Sequence, residues 1–355
     1  MNNNYKLKKC LFTFLIIICS LLIVNCSKKF DPDPLTLTVK QNLALLQNDP
    51  QFVMYFNFKK MRETKFWEQF ISDSLFNSER NFGSFLNLLK EATGVSITKG
   101  IDELYFSNSW IGDNALVLKG TFDKKRVDDY VTGDTLYTKI NYPNGVTVYK
   151  QTEANFNFYF KNDFTVCASN YLKQIENTFT VIDTSQTGLL SNTDLMKEIE
   201  LIKYKENLWM ISNQKLFIRG IFENFSDMGS PDGSFQEKGK DTLAIPDTSQ
   251  TNEGGKLYDI YKKINAVSFS LKMSDELAVV MQNECEDNQS AVELKNRFEA
   301  VIALAKLSST FSQQKAGPVI KLLDKVEIEV FDKTIVLEAR LDEKEITDIR
   351  LQKLF

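Results

Sequence analysis

Apolar and polar positions alternate between two periods along most of this chain. QFVMYFNF (51–58) is dense in aromatic and β-favouring residues and predicts a buried strand. In KKMRETKFWEQFISDSLF (59–76), Met61, Phe66, Phe70, Ile71 and Leu75 keep to one helical face. FGSFLNLLKEATG continues as a second helix, stopped at Gly94. IDELYFSNSW and NALVLKGTF predict a strand pair turning at Gly112-Asp113, and Asp123 precedes the short helix KKRVDDYV as its cap. VTVYKQ, NFNFYF and FTVCAS read as three strands, with Phe156, Phe158 and Phe160 on one face, and NYLKQIENTF as a closing helix.

A second set of elements follows. LWMIS (208–212) predicts a strand and QKLFIRGIFENF (214–225) a helix. AVSFSLKM and ELAVVMQN form a strand pair turning at Ser274-Asp275. In the helix 290–307, Leu294, Phe298, Val301, Ile302 and Ala305 share a face, and Ser290 with Glu293 has the spacing of a capping box. VEIEVFDKTIVLEARL predicts a hairpin turning at Asp332-Lys333, and Asp342 with Glu345 caps a final helix.

Strand, helix, strand pair and helix recur, so the expected fold is α+β. It has two related halves of antiparallel or mixed sheet, at 49–182 and 190–355, packed with helices. The relation is one of pattern and not of identity. Residues 227–255 interrupt the second half with five of the 15 glycines and two of the seven prolines, and predict a disordered insert.

The N-terminus has a different grammar. Lys6, Lys8 and Lys9 precede 14 uncharged residues, 11–24. As a helix at about 1.5 Å per residue, that run reaches roughly 21 Å, short of a hydrocarbon core of about 30 Å. A basic start, a short apolar centre and a polar exit describe a signal peptide, expected at 1–25. The exit, Ile23-Val24-Asn25-Cys26, resembles the lipobox of bacterial lipoproteins, with Asn25 where that family usually has Gly, Ala or Ser. The resemblance covers the first 26 residues. It implies cleavage before Cys26, diacylglycerol on its thiol and acylation of its new amino group. Two or three acyl chains hold a protein stably to a bilayer, where one holds it marginally. Ser27 after the Cys implies sorting to the outer membrane, and 26–48, with its prolines, is expected to be a flexible tether. NDPQFVMYFNFKKMRETKFWEQF also resembles the start of the large, poorly characterised envelope lipoproteins, a family that implies no activity.

Composition narrows the chemistry. The chain of 355 residues has no histidine, which excludes Ser-His-Asp triads, Cys-His pairs and His-ligated metals. Without Lys6, Lys8 and Lys9 the balance is 40 basic against 47 acidic side chains, and nucleic acid is not an expected partner. No Walker, GxGxxG or GxSxG motif occurs. Glu284, Glu286 and Asp287 hold the oxygen chemistry of a cation site, but acids ahead of a helix serve its free N–H groups, and that is the reading adopted. Asp128 and Asp129 point apart on a helix and read as a solvated face. Cys167 and Cys285 end strands and are read as unpaired thiols, although an export compartment permits their pairing. No cofactor, metal or catalytic residue is assigned.

The expected protein is a non-enzymatic envelope protein, lipid-anchored at Cys26, that binds another protein or serves a structural role. Two alternatives stand beside it. One is a carrier of lipid or another hydrophobic ligand, suggested by 27 Phe; the other is a histidine-free hydrolase working through carboxylates.

Overall fold

The computed structural model describes residues 30–70, 83–153, 156–182, 186–228, 261–311 and 322–351. Cys26 with the whole signal segment, and nearly all of the expected insert, lie outside the described residues. Twelve strands form one sheet, and every neighbouring pair is antiparallel. The fold is α+β.

The first half supplies β1 (Phe52–Asn57), β2 (Ile101–Asn108), β3 (Asn114–Gly120), β4 (Tyr137–Asn141), β5 (Thr147–Gln151), β6 (Phe156–Asn162) and β7 (Thr165–Ser169). The second supplies β8 (Leu208–Ser212), β9 (Ile264–Met273), β10 (Leu277–Cys285), β11 (Val326–Phe331) and β12 (Thr334–Leu341). The order across the sheet is β11-β12-β10-β9-β8-β1-β2-β3-β7-β6-β5-β4, so β1 and β8 pair at the junction of the halves.

Helices cover the first face of the sheet on both halves. They are α2 (Phe58–Arg62), α3 (Lys65–Phe70), α4 (Gly83–Thr93) and α5 (Lys124–Gly133) over the first half, and α8 (Lys215–Met228) and α9 (Asn288–Phe311) over the second. The second face is covered on the first half by α1 (Leu37–Leu43), α6 (Leu172–Thr178) and α7 (Thr193–Glu200). The chain ends in α10 (Glu343–Leu351) as far as it is described. Both faces of β6 are therefore buried: Phe156, Phe158 and Phe160 enter one core, and Tyr159 enters the other. The second face of the second half has a small apolar patch of Val280, Phe331 and Val336, surrounded by Ser268, Ser270, Gln282, Glu284 and Glu338.

Several expectations are corrected. The helix expected over 59–76 is broken at Thr64, whose hydroxyl donates to the Met61 carbonyl at 2.7 Å and closes α2, while its own carbonyl accepts from Trp67 as α3 begins. The cap of α9 is Asp287, which accepts from the Ser290 amide at 2.7 Å; Glu293 instead pairs with Lys263 at 3.3 Å and Arg297 at 2.9 Å. The tether expected through residue 48 is shorter. Thr36 caps α1, and Leu35, Val39 and Leu43 to Leu46 are buried in the second-face core. The apolar spacing of LTVKQNLALL is that of a docked helix, and the burial of its side chains outweighs the local disorder that the preceding prolines favour.

Candidate functional site

The expected attachment site, Cys26, lies outside the described residues. Phe30, at the start of the described chain, packs on Phe331 with ring centroids 5.3 Å apart. The chain thus leaves toward its N-terminus beside β11, at one edge of the sheet.

The acidic cluster comes apart. Glu284 is buried, pairs with Lys333 at 2.9 Å and accepts from the Thr334 hydroxyl at 2.5 Å, while Asp287 caps α9. Among the described residues no group of three or more Cys, Asp or Glu is placed to hold a metal ion. Asp128 is not a merely solvated acid: it accepts from Lys139 and from the Tyr149 hydroxyl, both at 2.7 Å, and ties α5 to β4 and β5. Those two donors, Lys139 first, hold its carboxyl below the usual range. Cys167 and Cys285 are free and buried. Burial raises their thiols to about 11 and about 12, the latter with help from the Glu284 charge.

The phenylalanines of the first-face core pack on one another. Phe85 contacts Phe156 and Phe158 at centroid distances of 5.1 and 5.0 Å. Neither of two clefts on the described surface, one beside Tyr55 and one beside Arg340, is lined by Phe.

The larger cleft, about 400 Å³, lies where Asp33 to Val39 cross the ends of β1 and β2. Its floor is Tyr55 and Glu103. The Tyr105 hydroxyl donates to Glu103 at 2.6 Å and accepts from Asn42 at 3.3 Å. Burial, then the Glu103 charge, raises the tyrosyl pKa of both Tyr55 and Tyr105. Lys205 on the rim donates to the carbonyls of Asp33, Glu200 and Ile202 at 2.6 to 2.8 Å. Burial lowers its ammonium to about 8. The smaller cleft, about 250 Å³, gathers Glu276, Glu327, Glu338, Asp342 and Glu345 against Lys325 and Arg340.

A third feature is convex. In the turn between β2 and β3, Gly112 adopts φ 86°, and its amide donates to the Ser109 carbonyl at 3.0 Å. Asn170 clamps that turn, its amide donating to the Gly112 carbonyl at 2.9 Å. The turn pushes out Trp110, 49% exposed, and Ile111, 84% exposed. Trp110 Nε1 reaches Gln214 Oε1 at 3.4 Å. Tyr171, next in sequence to the clamping Asn170, is exposed too. This end of the sheet therefore presents Trp110, Ile111 and Tyr171 to solvent on hydrogen-bonded supports. Sequence reading ran the strand on to Trp110 and put the turn at Gly112-Asp113, whereas β2 ends at Asn108; the surface was missed because exposure is a property of what the fold leaves uncovered.

No family model matches the chain, and no curated protein matches it. Among solved structures, crystal form III of TP0453 is similar, at 12% identity and a TM-score of 0.44, over 92% of this chain and 100% of that one. Crystal form IV of TP0453 is similar at 10% identity and a TM-score of 0.44, over 91% of this chain and 98% of that one.

Proposed function

We propose that this is a non-catalytic protein of the bacterial cell envelope, held to the membrane by lipid on Cys26, whose Trp110–Ile111 turn docks a partner protein. The observation that carries the reading is that turn. Clustered exposed apolar side chains on a rigid support mark interaction surfaces, and Trp and Tyr are over-represented among the side chains that dominate binding energy. The missing histidine and the lack of catalytic motifs support a non-enzymatic role.

The test compares wild type with Trp110→Ala and Ile111→Asp after mild detergent extraction from cells. A partner should co-purify with wild type and be lost from both variants, with melting temperatures unchanged because both side chains are exposed. A partner profile identical in all three proteins would refute the docking role.

A further inference from the structure

The proposed anchor and the first fixed point of the body are close together in the chain. Three residues, Ser27 to Lys29, separate Cys26 from Phe30. Phe30 is already docked. Its ring lies on Phe331 at the end of β11 and, with Tyr204, packs against the small apolar patch of Val280, Phe331 and Val336. The residues that follow are held in turn. Pro32 and Pro34 restrict the backbone on either side of Asp33, whose carbonyl accepts from Lys205 at 2.6 Å. The Leu35 amide donates to Glu200 at 2.9 Å, and Thr36 caps α1. The chain therefore has little slack beyond Phe30. The four Cα–Cα steps from Phe30 back to Cys26 span at most about 14 Å when fully extended.

We infer that the Phe331 end of β11 is seated at the surface of the bilayer, so that the partner of this sheet edge is the layer of lipid headgroups. The inference rests on the proposed lipid at Cys26. Diacylglycerol on the thiol fixes that residue at headgroup level. A reach of about 14 Å then keeps the Phe30–Phe331 contact beside the headgroups whichever way the body leans. A tether free through residue 48 would have left every side of the body equally able to face the membrane. Charge does not set the seating. Lys28 and Lys29 in the connecting run favour anionic headgroups, while Glu327 and Glu329, exposed on β11, oppose them. Those two carboxylates do keep the edge out of the hydrocarbon, so the contact is with the surface of the bilayer and not its interior. The seating also has a consequence for the fold. β11 has a strand partner on one side only, and a bilayer beside it shields the open side from pairing with another chain.

The experiment is energy transfer from the full chain, purified from membranes and reconstituted into vesicles of phosphatidylethanolamine and phosphatidylglycerol with a headgroup-attached acceptor dye. A maleimide donor is placed at Glu329→Cys on β11 or at Thr138→Cys on β4, the opposite edge of the sheet. Both positions are exposed, and Cys167 and Cys285 are buried. The donor at 329 should lose most of its emission to the acceptor, and the donor at 138 much less. A flexible Gly-Ser insertion of about twenty residues between Lys29 and Phe30 leaves the contacts of the folded body in place and should lower the transfer at 329 toward that at 138. Raising the salt concentration should leave the transfer at 329 unchanged. Equal transfer from the two edges would overturn the seating. So would transfer at 329 that the insertion leaves intact or that salt abolishes. Mass spectrometry of the same samples separates the two possible failures. Protein acylated on Cys26 with equal transfer overturns the seating alone, whereas protein without fatty acid on Cys26 overturns the anchor as well.

Discussion

Met54 in β1 stands directly opposite Met210 in β8, at the junction of the two halves. Outward from this pair the strands run in the same order on both sides. A first strand pairs with a second and the second with a third, and a helix then carries the chain to the outermost strand, from which it returns to pair with the third. The return takes four strands in the first half, β4 to β7, and two in the second, β11 and β12. Laying Met54 on Met210 also lays Asn57 on Asn213 and Lys59 on Lys215, at the points where each first strand gives way to a helix. The first face is treated alike on both sides, and the second is not. The helices α1, α6 and α7 cover the first half and reach Trp209, Ile211 and Ala266 of the second, whose remaining positions on this face carry mostly Ser, Gln and Glu.

One of those covering helices has an electrostatic cost. Glu198 of α7 is raised to about 7, first by burial and then by the charge of Glu284. The folded state favours its protonated form, so stability is greatest below the ordinary value of 4.5 and falls as pH rises toward 7. Glu198→Gln should therefore match wild type at about pH 4 and exceed it by roughly 2 kcal/mol at about pH 8. Urea melts of both proteins across that range measure the difference, and parallel curves would contradict it.

The two buried thiols should be inert. With pKa values pushed up to about 11 and about 12, Cys167 and Cys285 present almost no thiolate at about pH 8. Maleimide should label neither residue in the native protein and both after denaturation. Fast labelling of either in native conditions would contradict the packing described.

Gly188 should hold the N-terminal segment in place. It has φ 53°, and a Cβ there would press into the carbonyls of Ala44 and Leu46. Gly188→Ala should cost about 2 kcal/mol and loosen α1. The check is limited trypsinolysis: cleavage after Lys40, half-buried in an ion pair with Glu200 at 2.6 Å, should speed up in the variant. Unchanged protection would show that the segment docks independently of this contact.

The anchor has its own test. Cys26→Ser should abolish fatty-acid labelling and leave the precursor with residues 1–25 attached. Normal processing and labelling of that variant would remove Cys26 as the attachment point.

Where burial follows a simple period, the sequence was a sound guide. The strands from QFVMYFNF to TIVLEARL and the caps at Asp123 and Asp342 lie where pattern and cap chemistry put them. The elements it missed have physical reasons. β4 is an edge strand with Thr138 and Lys139 exposed, so it carries no apolar alternation. α1 and α7 are short, and their apolar faces become intelligible only once the second face of the sheet exists to receive them. The candidate sites are less legible still. Tyr55, Glu103 and Lys205 are scattered along the chain, and Trp110 and Ile111 are meaningful through what does not cover them.

The most direct test of the proposed role is photocrosslinking in living cells from position 111, with a control at Lys125, also exposed, on α5. A photoreactive residue replacing Ile111 should give one discrete adduct with a partner protein, absent from the control and lost when Trp110→Ala is added. A ladder of adducts indistinguishable from that of the Lys125 control, or no adduct at all, would contradict a docking function for this end of the sheet.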